Sequence, residues 1–246
     1  MSLNRFFIEK NSISDKKVFI DDFQQVHQIK NVLRLKSGDQ IVVLDNSGFE
    51  YLVSLEKINQ TIEGYILKKE RNKNEPKIKI ILLQALLKHD KFEQVLKFST
   101  NLGIFGFIPI ITQRSISREV SQNKFSRWKR IIKESAEQSG RGILPFLENV
   151  MTFKEALNFL QQKEQVLKLI AWEEEKKIKL SYLKNKIKKA KEIYLCLGPE
   201  GGFSKNEVSL AKKFGFFPFS LGKLILRAEI AGLVASSLIF SYNKII

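Results

Sequence analysis

Cysteine is nearly absent: Cys196 is the single thiol among 246 residues. No disulfide framework can be built from it, which points to a reducing compartment, and its position inside an apolar run marks it as a core residue. Histidine is almost as scarce. His27 and His89 lie far apart, with no cysteine or closely spaced carboxylates beside them, so a zinc site is not expected. Long apolar runs are missing too. None approaches the ~18 residues of a membrane span, and Arg5 and Glu9 interrupt the N-terminal stretch where a signal peptide would need continuity. The expectation is a cytoplasmic protein with no membrane and no metal. Neither G-x-x-x-x-G-K followed by Ser or Thr nor G-x-G-x-x-G occurs, which argues against nucleotide hydrolysis and dehydrogenation.

Negative charge is also in short supply, with 26 acidic against 42 basic residues and a net charge of +16. The imbalance is uneven. Residues 1 to 74 carry 12 basic and 10 acidic side chains, residues 75 to 246 carry 30 and 16. A segment this basic is expected to meet polyanions, although a chain rich in Lys, Ile and Asn throughout acquires some of that charge from composition alone.

Two domains suit this length. Residues 1 to 73 read as a small β-rich unit, with strands near Arg5 to Ile8, Gln40 to Leu44, Tyr51 to Ile58 and Thr61 to Leu67, hairpin turns between them, and one helix from His27 to Leu35. The polar stretch Arg71 to Pro76 marks a boundary. From residue 77 to 246 strands and helices alternate. Strands are expected at Ile78 to Leu83, Phe107 to Ile111, Val166 to Ala171, Ile193 to Leu197 and Phe219. Helices are expected after Asp90 with Gly103 as stop, at Ser126 to Gln138, at Thr152 to Gln161 and over Lys176 to Lys191. The alternation predicts a parallel sheet covered on both faces. The basic run Lys176 to Lys191 reads as a solvated amphipathic helix, with Leu180, Leu183, Ile187 and Ala190 inward and Glu173 and Glu175 each four residues before a lysine.

The C-terminal stretch is the most informative. After the strand ending at Leu197, Gly198 and the pair Gly201, Gly202 bracket Pro199 and Glu200, so the backbone can adopt positive φ and approach a ligand with bare amides. Ser204 and Glu207 form a capping box for the next helix. A second open turn, Leu221-Gly222, precedes Ile225-Leu226-Arg227 and a final helix with Ala231, Val234, Ala235, Leu238, Ile239 and Tyr242 at helical spacing. Either turn alone is an ordinary αβ connection, with Arg227 a surface charge; two beside one strand layer suggest a ligand pocket.

Those residues resemble the SPOUT class of S-adenosylmethionine-dependent RNA methyltransferases, and within it the bacterial 16S ribosomal RNA uridine N3-methyltransferase family. The similarity extends to Asn4-Arg5-Phe6-Phe7, Val32-Leu33-Arg34-Leu35, Lys88 to Lys91, Arg114-Ser115 and Glu137-Gln138-Ser139-Gly140-Arg141. It implies an α/β SPOUT-type parallel-sheet domain with a trefoil knot behind a small N-terminal PUA-like β-barrel. It also implies S-adenosylmethionine as cofactor and small-subunit ribosomal RNA, free or assembled, as partner. A homodimer is implied as well, with Ala231, Gly232, Ala235 and Ser236 permitting close helix approach. Leu197, Gly198, Pro199, Glu200, Gly201, Gly202, Leu221, Gly222, Ile225, Leu226 and Arg227 would hold the cofactor. Arg5, Arg34, Lys88, Lys91, Arg114, Arg118 and Arg141 would meet RNA, and Trp128 could stack on a base or pack in the core.

The implied reaction methylates a uridine nitrogen that carries a proton at neutral pH, and a guanidinium beside a base carbonyl would stabilise the anion. Arg227 and Arg141 are the catalytic candidates, each with a phosphate clamp or a structural ion pair as alternative. Glu200 and Glu229 are the carboxylates nearest the turns; Glu229 could instead satisfy first-turn helix amides. The chain departs from the family in reading Arg227-Ala228-Glu229-Ile230-Ala231 where Arg-Thr-Glu-Thr-Ala is usual, which removes two hydroxyls. It also carries His89 for a glycine and Asn101 for a glutamate. A non-catalytic RNA-binding module and a ribose 2′-O-methyltransferase are the rival readings.

Overall fold

The computed structural model describes residues 3 to 245, which divide into two compact units, residues 3–75 with 133–144, and residues 76–132 with 145–245. In the first unit β1 (Arg5–Phe7), β2 (Lys17–Ile20), α1 (Phe23–His27), β3 (Gln40–Leu44), β4 (Phe49–Ile58) and β5 (Ile62–Arg71) form one five-stranded sheet in the order β1-β3-β4-β5-β2. Strict alternation drives it. Tyr51, Val53 and Leu55 point into a core with Phe6, Val18, Ile29, Ile41, Val43 and Ile62, while their neighbours face water.

The helix expected at His27 to Leu35 starts and ends earlier: α1 begins at Phe23 and runs into a wider π-type turn over Gln28–Val32. Its start is fixed by Asp22, whose carboxylate accepts the Gln25 amide at 2.9 Å. Phe23 is exposed and gives the first turn no apolar periodicity. The short strand β2 went unread for a similar reason, being four residues with only Val18 and Ile20 inward.

Segment 133–144 joins this unit through contacts that no local sequence pattern marks. Glu75 sits at their centre, taking the Arg141 guanidinium at 2.8 Å and the amides of Gly142 and Ile143 at 3.0 and 3.1 Å. Glu137 accepts the Phe7 amide at 2.8 Å. Burial pushes the Glu137 carboxyl from 4.5 up to about 7, against the lowering effects of that amide and of Lys133. Its folded value exceeds its unfolded one, so its contribution to stability is complete below pH 4.5 and is lost as pH rises through about 7. Glu137→Gln is therefore expected to remove a loss on the order of 2 kcal/mol between about pH 5 and pH 8. Urea unfolding of parent and variant at the two pH values checks this.

The second unit holds β6 (Lys79–Ala85), α2 (Lys91–Leu102), β7 (Gly106–Ile111), α3 (Gln122–Gln138, its last turns counted with the first unit), β8 (Phe146–Leu147), β9 (Met151–Thr152), α4 (Phe153–Phe159), β10 (Leu167–Ala171), α5 (Lys184–Lys189), β11 (Glu192–Leu197), α6 (Lys205–Lys213), β12 (Phe217–Phe219) and α7 (Ala228–Tyr242). The strands make a parallel sheet in the order β12-β10-β11-β6-β7-β8, with β9 also on β7. Both faces are covered, as continuous apolar strands require. Ile80, Leu82, Leu195 and Leu197 pack beneath α2, α3, α5 and α7, whereas Ile81, Leu83, Tyr194 and Cys196 pack beneath α4 and α6. Cys196 is fully buried, and burial pushes its thiol well above its ordinary range. Trp128 is core, its ring centroid 4.3 Å from that of Phe92.

Local signals decide the helix ends. Ser204 with Glu207 and Thr152 with Glu155 form complete capping boxes, and Gly103, at φ +109, closes α2. Asp90 makes no side-chain cap, and Glu93 turns to Arg127 at 2.8 Å instead. The expected helix over Lys176 to Lys191 is only partly formed. Glu175 accepts the amides of Lys177 and Ile178 at 2.8 and 3.1 Å, a turn closes there, and α5 begins only at Lys184.

At Gly106 the Phe146 ring occupies the space a Cβ would need. Gly106→Ala is therefore expected to cost about 1–3 kcal/mol by overpacking, recovered in part by Phe146→Ala, as denaturant midpoints would show. Among the described residues no helix is long and apolar enough to cross a membrane.

Candidate functional site

Three loops leave the carboxyl ends of adjacent parallel strands β12, β10 and β11 and close around one cavity of about 280 Å³. This is where open α/β sheets place ligands, because the strand ends leave a crevice edged by loop amides and helix starts. The β11 loop contributes Gly198 to Gly202, the β12 loop Ser220 to Leu226, and the β10 end Ala171, Trp172 and Glu173; Ala228 and Ala231 of α7 complete the wall.

Each loop is held by identifiable contacts. Gly202, at φ +65, folds the first loop back through its amide onto the Pro199 carbonyl at 2.9 Å, and fully buried Phe203 anchors the exit. Glu173 packs so close to Gly202 that no Cβ would fit unless the carboxylate moved. From the β7 side, Arg114 donates to the Gly201 carbonyl at 2.7 Å and the Gln113 amide donates to Glu207 at 2.7 Å. In the second loop the Ser220 hydroxyl bridges Gly222, taking its amide at 3.2 Å and donating to its carbonyl at 3.1 Å.

Charge at the site is organised around Lys91. Its ammonium lies 3.7 Å from both Glu200 and Glu229, while Glu200 also accepts the Lys88 amide at 3.1 Å. The helix-amide alternative for Glu229 is not what the structure shows: one carboxylate oxygen is buried without a hydrogen bond, and its charge is met by Lys91. Arg227 caps α7 from an extended conformation with its side chain 82% exposed, 4.0 Å from Glu229.

Of the residues expected to hold a cofactor, Leu197 to Gly202, Leu221, Gly222, Ile225 and Leu226 all line the cavity. Arg227 lies between two lining residues but is not itself part of the wall. Sequence reasoning missed the β10 wall. Glu173 has the spacing of a helix-surface partner, and nothing local to Ala171-Trp172-Glu173 says that β10 lies between β12 and β11.

Domain-family comparison adds to this geometry: residues 73–240 match the RNA methyltransferase domain and residues 20–61 the RNA methyltransferase PUA domain. A ribosomal RNA small subunit methyltransferase E of Bacillus subtilis is 32% identical over 247 residues, covering 96% of each chain. One from Synechocystis is 38% identical over 213 residues, covering 86% of this chain and 69% of the relative. This chain belongs to the ribosomal RNA small subunit methyltransferase E family. The crystal structure of such an enzyme from Neisseria gonorrhoeae, bound to S-adenosyl methionine, superposes with a TM-score of 0.89 at 29% identity and 98% coverage of both chains.

In this member of the family, the arginines singled out from sequence fall into different environments. Arg141 sits in the environment of the ion-pair alternative rather than of an exposed catalytic or RNA-facing group: its side chain is 4% exposed and bound by Glu75. Arg5 is likewise bound to Glu50 at 2.7 Å. Lys91 and Arg114, expected on RNA, instead order the cavity loops. Arg34, Lys88 and Arg118 have exposed side chains. The small residues expected at a dimer interface are also corrected in part. Gly232, Ala235 and Ser236 are buried in the chain's own core, with Gly232 against Leu197, Gln84 and Leu82.

Proposed function

We propose that this chain transfers a methyl group from S-adenosylmethionine to ring nitrogen 3 of a uridine in small-subunit (16S) ribosomal RNA. The convergence of the three strand-end loops on one cavity carries the reading. Its residues suit the cofactor chemically. Leu197, Leu221, Leu226 and Ala231 offer apolar surface for a purine, the glycine backbones of both loops leave amides and carbonyls within reach, and Glu173 and Glu200 put negative charge beside the wall. S-adenosylmethionine supplies an electrophilic methyl on a sulfonium; the protein's own task is to hold it and to render the uridine nitrogen nucleophilic.

Arg227 is the group for that second task. Its guanidinium is exposed, tethered between two wall residues and only loosely engaged by Glu229, so it can meet a base carbonyl and stabilise the anion formed when the nitrogen loses its proton. Arg34, Lys88 and Arg118 remain the RNA contacts of this proposal. Ala228 lines the cavity without the hydroxyl usual in the family, so backbone groups hold the cofactor there. The reading includes a knotted path for α7, for which its return from the edge strand β12 to pack on β11, β6 and α2 is the support. It also includes a homodimer, for which exposed Leu224, Ile225, Ile230 and Leu238 supply apolar area in place of the buried small residues.

The test is incubation of the protein with methyl-labelled cofactor and small-subunit ribosomal RNA, followed by nucleoside mass spectrometry. The expected product is 3-methyluridine; a ribose-methylated nucleoside would assign the rival chemistry, and no transfer would leave the binding module. Light scattering at micromolar concentration should give twice the 28.5 kDa chain mass.

A further inference from the structure

We propose that α5, the turn preceding it and the sheet edge at β12 form an RNA-backbone surface running outward from the cavity mouth, an inference that rests on the ribosomal RNA methyltransferase reading above. The helix holds Lys184, Lys186, Lys188 and Lys189 within six residues, all exposed, while Leu180, Leu183 and Ile187 anchor the segment in the core. Among the described residues none of these four ammonium groups has a carboxylate within 4.0 Å. Of the acidic groups that precede it in the chain, Glu174 pairs with Lys205 at 3.5 Å and Glu175 accepts the amides of Lys177 and Ile178. Like charges three and four positions apart weaken a short helix, so fold stability alone disfavours this composition.

Aromatic side chains interleave with the cations, as single-stranded nucleic-acid surfaces require. Tyr182 is 68% exposed and Phe217 38% exposed, with the Lys186 ammonium 4.9 Å from the Phe217 ring centroid. The patch is continuous with the cavity. Lys179 bridges by backbone to Ser220, a wall residue, and Phe217 lies three strand positions before it, roughly 10 Å. Lys223, also in the wall, extends the positive charge to the mouth. An RNA strand whose target base meets the cofactor at the cavity mouth would therefore find phosphate partners and a stacking ring along β12.

The test is the fourfold variant Lys184→Gln, Lys186→Gln, Lys188→Gln, Lys189→Gln, titrated with in vitro-transcribed small-subunit ribosomal RNA over a salt series, with S-adenosylmethionine calorimetry as a control on folding. The expected result is RNA affinity reduced at least about tenfold near 0.1 M salt, with a log–log salt slope shallower by about 3, as four lost phosphate contacts predict, and cofactor affinity unchanged. An unchanged slope in a variant that still binds cofactor overturns the proposal while leaving the catalytic reading in place. A parent protein that prefers anionic phosphatidylserine vesicles to the RNA overturns it in favour of a lipid surface. A parent that binds no ribosomal RNA overturns both readings.

Discussion

Glu75→Ala is expected to destabilise the first unit by about 3 kcal/mol, because it takes the carboxylate away from a buried guanidinium and from two loop amides together. The Arg141 side chain is 4% exposed, and Glu75 receives it alongside the amides of Gly142 and Ile143, so one carboxylate serves three donors. A unit of this size should lose roughly 10–20 °C in melting temperature. Calorimetric melting checks this, and Arg141→Met added to Glu75→Ala should recover part of the loss by removing the buried charge. If Arg141 were instead a catalytic group, Arg141→Met with Glu75 also replaced would leave stability unremarkable and abolish methyl transfer; the account predicts that transfer persists below the melting temperature.

Ala231→Phe should be the most damaging change for activity. Its methyl forms part of the α7 wall of a cavity of about 280 Å³, and a phenyl ring there occupies space that a purine or its ribose would need. A loss of at least about a hundredfold in kcat/KM corresponds to ~2.7 kcal/mol of lost transition-state stabilisation. RNA affinity should stay near the parent value, because the substituted position lies in the wall rather than on the lysine surface. Equal losses in RNA binding and in catalysis would place the substrate base, not the cofactor, in this cavity.

The parts of the site legible in the sequence were those written in backbone chemistry. Gly202 and Gly222 adopt positive φ where the turns were expected, Ser204 and Glu207 cap α6, and the wall residues Leu197 to Gly202, Leu221, Gly222, Ile225 and Leu226 follow from the family resemblance those turns carry. Long-range pairing was not legible. Glu75 and Arg141 stand 66 residues apart, and no spacing rule connects them. Lys91 and Arg114 carried the same positive charge in the sequence as any RNA-facing residue; only the fold shows one between two carboxylates and the other on a loop carbonyl.

The same limit explains Glu173 and the last helix. A glutamate four residues before a lysine fits a helix surface, but the chain turns at Glu175 and leaves Glu173 against Gly202. In α7 the small residues signalled close approach correctly, yet that approach is to Leu82, Gln84 and Leu197 of the same chain. Periodicity identifies a face that must be covered; it does not name what covers it.

Titration calorimetry of the unaltered protein with S-adenosylmethionine tests the central claim most directly, namely that the loops after β10, β11 and β12 build one cofactor cavity. One binding event per chain is expected, absent in Ala231→Phe and retained in Glu75→Ala below its melting temperature. Binding that survives intact in Ala231→Phe, or no binding by the parent, would contradict the account.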